Sequence, residues 1–492
     1  MRCWSKRRDF FTVRPSMSVG KNAGIVTTAT GLSQLAQLAA LPMIASYASP
    51  QIFGSYTLFV GFCSVVAIFA GLRYDGAIVV AYSARQARMA SALVATLGIV
   101  TALAVVTLGT AAVSWNDYLN QLFGFASVWL AGMYIAANTF LRVAIAWLTR
   151  IGRFGWIGAV QFASVSGMVL LQLLLLLNGI APLFSLIAGF AGGQLLGVIV
   201  AAGGPARQAL RLAHVVPASL LGAARHFIAF PRYMILYGLN SSMRERAIHF
   251  LMGSAGGANE LGGFAMAQRL LGTPHGLLHG SLGPALLRHA RVFDRPEVSR
   301  VAVALMELAI LLFSPVFIFV AMNAPSLTYA LFGSAWQGLA LYLQILALPY
   351  LILCCTAFID RLYEMYGQQR AALRLELGYS LVVLVGITLV GLTGSGTAMA
   401  IVFAFVYTLY ELLWTYRTFI INGLPRDRLA RLFRFSIGLL IGWLVVNAAV
   451  LSLSSLSARL AIVASIAAVT AFVHWRWLGG RELLLGLIGS RR

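Results

Sequence analysis

The chain is 492 residues long, 60% hydrophobic and only 10% charged, with a formal net charge of +22 and a mean hydropathy of +0.86. That balance excludes a soluble enzyme, and it excludes a nucleic-acid-binding domain, which would collect its basic residues on one aqueous face. The sequence reads instead as a polytopic membrane protein.

In chain order, about fourteen apolar stretches are long enough to span a bilayer: 23–46, 55–82, 91–113, 123–147, 156–177, 182–202, 230–252, 260–286, 301–323, 338–360, 375–393, 397–421, 435–454 and 458–478. Ahead of them lie Arg2, Lys6, Arg7, Arg8, Arg14 and Lys21. The first stretch is too long for a signal peptide and contains Gln34 and Gln37, so it is taken as a span. The even-numbered connections carry Arg85 and Arg88, Arg150 and Arg153, Arg207, Arg211 and Arg225, then Arg288, Arg291, Arg295 and Arg300. Arg361, Arg370 and Arg374 follow, then Arg426, Arg428, Arg431 and Arg434, with Arg481, Arg491 and Arg492 in the tail. Odd connections such as 47–54, 114–122, 253–259 and 324–337 carry neither lysine nor arginine. The positive-inside rule therefore puts both termini in the cytoplasm and requires an even number of spans. In a bacterium this is the inner membrane, and the surplus charge is foremost a topology signal that also attracts membrane lipids.

The implied organisation is a basic segment (1–22), an N-lobe of helices 1–6 (23–202), a cytoplasmic linker (203–229), a C-lobe of helices 7–12 (230–421), two extra C-terminal helices (435–478) and a cytoplasmic tail (479–492). The linker alternates basic and apolar positions, as a short interfacial helix would. No connection is long enough to fold alone, and there is no Walker A motif, metal-spaced Cys/His cluster or Ser/His/Asp arrangement. A membrane glycan polymerase or ligase would need such an aqueous constellation, so the chain is not expected to be an enzyme. His275 and His279 share a helix face without a third ligand, which fits packing or polar lining rather than a metal site. Cys3, Cys63, Cys354 and Cys355 all avoid the outer connections, so no disulfide framework is expected.

The chain also repeats itself. Ser49-Pro50-Gln51-Ile52-Phe53-Gly54-Ser55-Tyr56 precedes the second span, and Ala258-Asn259-Glu260-Leu261-Gly262-Gly263-Phe264 precedes the eighth. Both read as an outer turn, an apolar residue, Gly, one residue, then an aromatic suited to the membrane interface. Six spans separate the copies, so the halves share one orientation about an axis along the membrane normal.

At these residues the sequence resembles the bacterial polysaccharide-biosynthesis (Wzx-like) flippases. The likeness rests on Phe53-Gly54-Ser55-Tyr56, on Leu72-Arg73-Tyr74-Asp75-Gly76-Ala77-Ile78 and on Phe230-Pro231. Leu261 through Leu271 and Leu331-Phe332-Gly333-Ser334-Ala335-Trp336 continue it, over roughly residues 23–430. The resemblance implies the multidrug/oligosaccharidyl-lipid/polysaccharide exporter fold. That is an all-α membrane protein of about 14 helices, with two six-helix lobes in pseudo-twofold symmetry around a central cavity, plus two C-terminal helices. It further implies alternating-access transfer of undecaprenyl-(pyro)phosphate-linked oligosaccharide units to the periplasmic leaflet, for O-antigen, capsule or exopolysaccharide. The implied partners are that lipid-linked oligosaccharide, a polysaccharide polymerase and a chain-length regulator. No cofactor is implied beyond H+ or Na+ coupling.

Physical chemistry supports the task independently. Moving one unpaired hydroxyl from water into hydrocarbon costs about 4–8 kcal/mol, so a sugar headgroup needs a polar path. Charged residues inside spans cost about 2.5–3.5 kcal/mol each at a helix centre and mark where such a path runs. The candidates for substrate binding are Arg73, Arg269, Arg244 and Arg246, as a staggered cationic track whose guanidinium forks meet pyrophosphate oxygens. Arg244 and Arg246 are about 200° apart on a helix, so one of them is expected to be structural. Arg142, one turn from the cytoplasm, is expected to snorkel. In the related lipid II flippases cavity arginines come from the first, second and eighth spans. Here Arg73 and Arg269 match the last two by element, while the first span has no basic residue after Lys21. The candidates for ion coupling are Asp75, Glu245, His249 and Glu411. Glu245 and His249 are i, i+4 neighbours that form either a titratable pair or a packing contact, and Glu411 lies among Tyr407, Tyr410 and Trp414. Asp360 and Glu364 share a face near the cytoplasm and are expected to be solvated. A cation-coupled multidrug exporter of the same superfamily is the alternative; it predicts an acidic, apolar cavity, whereas arginines favour an anionic ligand.

Overall fold

The computed structural model describes residues 18–81, 83–115, 124–207, 217–228, 231–232, 235, 246–292, 294–359, 362–363, 368–421, 423 and 426–477. Among them every regular element is a helix. The first bundle comprises α1 (Ser18–Tyr47), α2 (Pro50–Ala70), the short α3 (Asp75–Val80), α4 (Ala84–Trp115), α5 (Gly124–Arg150), α6 (Phe154–Leu177) and α7 (Pro182–Gly203). Helix α8 (Pro217–His226) lies in the linker. The second bundle comprises α9 (246–255), α10 (Gly257–Val292), α11 (Arg295–Met322), α12 (Ala324–Phe332), α13 (Leu339–Thr356), α14 (Gln369–Gly391) and α15 (Gly396–Ile421). Helices α16 (Arg426–Val450) and α17 (Leu456–Trp477) pack on the outside of α11 through Trp443 and Val463. Eleven helices among the described residues are long and apolar enough to cross a membrane.

Local chemistry sets the starts of key helices. Ser49 caps α2 by accepting from the Ile52 amide, with Pro50 in the first turn. Asp294 caps α11 by accepting from the Glu297 amide, with Pro296 beside it. Helix α2 ends at Gly71, and the next residues, Leu72 and Arg73, take φ of +44° and +58°. These are the only described non-glycine residues in the left-handed region, and they break the second span into α2 and α3. Arg150 donates to the carbonyls of Ile78, Val79 and Ala81, capping the C-terminal end of α3. The linker helix forms where its amphipathic pattern predicts, and it docks on α3 and α4 with Ala223 and Phe227 buried. Tyr74, in the helix break, donates from its hydroxyl to the Ala224 carbonyl.

The repeated turn becomes the joint between the bundles. Helices α2 and α10 cross so closely that a Cβ on Gly54 would strike the Ala258 carbonyl, while one on Gly262 would strike the Pro50 carbonyl. Each glycine thus meets the backbone four residues before its counterpart, as a two-fold relation demands. The joint lies at the arginine-poor end of the bundle. A second outer turn locks beside it. Gly333, at φ +77°, turns the chain into a single 3-10 turn that buries Trp336 to 1% exposure. The Trp336 indole donates to the Ala45 carbonyl at 3.1 Å, and its ring meets Phe53 edge-on at 5.8 Å. The aromatics of the repeat are therefore core residues rather than the interfacial anchors the sequence suggested. Tyr56 packs against Phe190, and Phe264 packs against Tyr342 and Phe403.

Candidate functional site

Between the bundles lies a cavity of about 380 Å³. Its wall is built from α1 (Gln37), α2 (Phe53, Tyr56, Thr57, Val60), α6 (Met168), α7 (Phe190), α9 (Arg246, His249) and α10 (Ala265, Gln268, Arg269). The glycine crossing closes one end of α2 and α10 and so positions this wall. Two turns beyond it, Arg269 lies over the Phe53 ring at 6.0 Å from guanidinium carbon to centroid and beside the Tyr56 phenol. Gln172 donates to the Leu186 carbonyl at 2.9 Å and lies 3.4 Å from the same phenol, fixing the tyrosine from α6. On the opposite wall the His249 ring nitrogen Nε2 lies 2.7 Å from Oε1 of Gln268. None of the described lining residues is acidic, and neither Arg246 nor Arg269 pairs with a described carboxylate. Two guanidinium groups in a cavity walled by aromatic and neutral polar side chains concentrate positive potential there.

The predicted track is brought together only in part. Arg246 and Arg269 share the cavity, whereas Arg244 and Glu245 lie outside the described residues, as do Asp360 and Glu364. Arg73 is not among the residues lining this cavity and lies in the helix break, two residues before Asp75, the first residue of α3. Both are within electrostatic reach of Arg142 on α5. Arg142, expected to snorkel, is half-buried, and its Nη1 has no partner among the described residues. His249 takes Gln268 as its described partner. His275 is described, the side chain of His279 is not, and no group of three metal-ligating side chains occurs among the described residues.

Glu411 occupies a different place, inside the second bundle at 6% exposure. Thr356 donates to its Oε2 at 2.9 Å. Around it Phe403, Tyr407, Tyr410 and Trp414 recur at helical spacing along α15, and Tyr379 of α14 stacks on Tyr410 at 3.9 Å. Tyr410 in turn donates to Glu376 at 2.8 Å. Sequence reasoning passed over Glu376, Gln172 and Gln268 as site members. Polarity within a span was the signal for Gln172 and Gln268, but which polar residues share a cavity depends on helix packing.

This architecture is that of a two-lobed helical membrane protein with a cavity between its lobes. The polysaccharide biosynthesis protein family matches residues 44–341, and the chain belongs to that family. No curated protein matches the sequence. Among solved structures, the lipid II flippase MurJ in an inward closed conformation aligns at 14% identity with a TM-score of 0.69, covering 92% of this chain and 99% of that one. An inward-facing multidrug resistance MATE family transporter of the MOP superfamily aligns at 13% identity with a TM-score of 0.62, covering 84% and 99%. These likenesses establish the fold.

Proposed function

We propose that the protein is a flippase that moves undecaprenyl-(pyro)phosphate-linked oligosaccharide units from the cytoplasmic to the periplasmic leaflet by alternating access. The observation that carries this reading is the cavity itself, which offers Arg246 and Arg269 without a described acidic neighbour. Guanidinium forks match phosphate oxygens in bidentate geometry, and an anionic headgroup is the ligand such a wall favours. The aromatic and amide side chains around them suit the sugar that follows the phosphate. In this reading Arg73 and Arg142 receive the headgroup at the cytoplasmic end, Glu411 and Asp75 are the candidates for H+ or Na+ coupling, and both termini are cytoplasmic. Release of the glycan outside would deliver it to a polymerase.

The test is deletion of the gene followed by mass spectrometry of polyprenyl-linked glycans. Accumulation of a lipid-linked oligosaccharide, cleared by wild type but not by Arg246→Ala or Arg269→Ala, supports the flippase. An unchanged pool together with new sensitivity to cationic dyes would replace it with the multidrug-exporter reading.

A further inference from the structure

Among the polar residues of the cavity wall, His249 carries a ring nitrogen whose polarity is opposite to that of the arginines. His249 is 7% exposed and its ring lies edge-on to Phe264 at 6.2 Å, so packing fixes its plane. Its Nε2 faces the carbonyl oxygen of Gln268, so in the neutral ring Nε2 carries the hydrogen and Nδ1 keeps its lone pair. That Nδ1 is buried and has no partner among the described residues. Buried acceptors are ordinarily satisfied, and this one, on a residue of the cavity wall, gains a partner when the wall parts around an entering ligand. Its neighbours narrow the ligand. Arg246 lies one turn before His249 on α9, and Arg269 follows Gln268 on α10, so two cationic forks and one acceptor meet within a few residues of each other. A bare phosphate supplies acceptors only and leaves Nδ1 unmatched. A glycosyl phosphate supplies both, anionic oxygens for the forks and a sugar hydroxyl or acetamido N–H for the ring nitrogen.

We propose that His249 is a specificity residue that accepts a hydrogen bond from the first sugar of the lipid-linked glycan, next to the phosphate held by Arg246 and Arg269. This rests on the flippase reading of the cavity and adds what distinguishes a glycosylated carrier from a bare one.

The experiment measures binding of two probes to the purified full-length protein by native mass spectrometry: undecaprenyl pyrophosphate and undecaprenyl-pyrophosphoryl-N-acetylglucosamine. The wild type is expected to prefer the glycosylated lipid by about tenfold, the scale of one hydrogen bond to a buried polar group. His249→Phe keeps the ring volume without the acceptor. It should bind the bare lipid as the wild type does and lose the preference, and His249→Gln, which restores a carbonyl acceptor, should recover part of it. Retention of the preference by His249→Phe overturns the proposal, as does an equal loss of both lipids, which marks a structural role. Equal binding of both lipids by the wild type also overturns it while leaving the anion site standing. Failure of the wild type to bind either lipid overturns the flippase reading beneath it.

Discussion

A guanidinium inside a membrane span must find an aromatic face, a hydrogen-bond acceptor, water or an anion, and the two kinds of arginine here solve that problem differently. Arg269 has the face of Phe53, a contact worth about 0.5–1 kcal/mol when exposed and about 2 kcal/mol when desolvated. It also lies beside the Tyr56 hydroxyl, and no described carboxylate pairs with it. Arg269→Lys keeps the charge but loses the planar fork, so glycan export should fall about tenfold, and Arg269→Met should abolish it; both are read from the lipid-linked glycan pool. At Glu411 the prediction concerns stability. Thr356→Val removes a donor to a buried carboxylate and should cost about 1.5–3 kcal/mol, seen as a lower thermal midpoint in detergent. An unchanged midpoint would remove Thr356 as a support of that site. Arg269 was legible because a charge in mid-span is costly against lipid and so turns toward a polar space. The break at Leu72 and Arg73 was not legible, because nothing in the residue types there announces two consecutive left-handed positions within an apolar stretch.

At the scale of elements, the α2–α10 crossing decides what the cavity can do. Two backbones approach closer than any Cβ permits, so Gly54 and Gly262 are required by contact rather than by turn conformation. Gly262→Leu should force the helices apart and open the arginine-poor end. A cysteine placed at Thr57, on the cavity wall, would then react with a membrane-impermeant maleimide from that side and stay protected in the parent. Protection in both would show that the crossing is not the seal. The repeat that marks this crossing was readable in the sequence, since a shared turn recurs at both sites. Its packing was not, because nothing in a single turn says which backbone it will meet. The linker helix shows the converse: its amphipathic pattern was readable and its docking through Phe227 and Tyr74 depended on α3.

For the whole molecule, the arginine distribution was the readable quantity and the span count the less certain one. Eleven described helices satisfy a hydropathy reading, while α1 and α10 fall short of it. Gln34 and Gln37 interrupt the first, and Gln268, Arg269 and His275 interrupt the second. Those interruptions face the space between the lobes at Gln37, Gln268 and Arg269, so the helices least apolar by composition are the ones that bound the polar path. Reporter fusions after residues 153, 300 and 374 should report cytoplasm, and fusions after residues 49 and 335 should report periplasm. A reversal at any of these positions would contradict the charge-based orientation.

The reciprocal contact at Gly54 and Gly262 has the form of an interface between identical subunits, in which position i of one copy meets position j of the other and the reverse. Laid on that axis, residue 269 corresponds to residue 61, an arginine on one side and a glycine on the other. The space over Gly61 is filled by Phe250 and the Arg246 stem from the second bundle. Two matching halves would present a mirrored charge and hold an anion on the axis, with equal claims from either side. Here the halves differ, and both described cavity guanidinium groups belong to the second. On the flippase reading proposed above, an anion held by Arg246 and Arg269 would travel with the second bundle as the two part, which would make that half the courier and the first half the track.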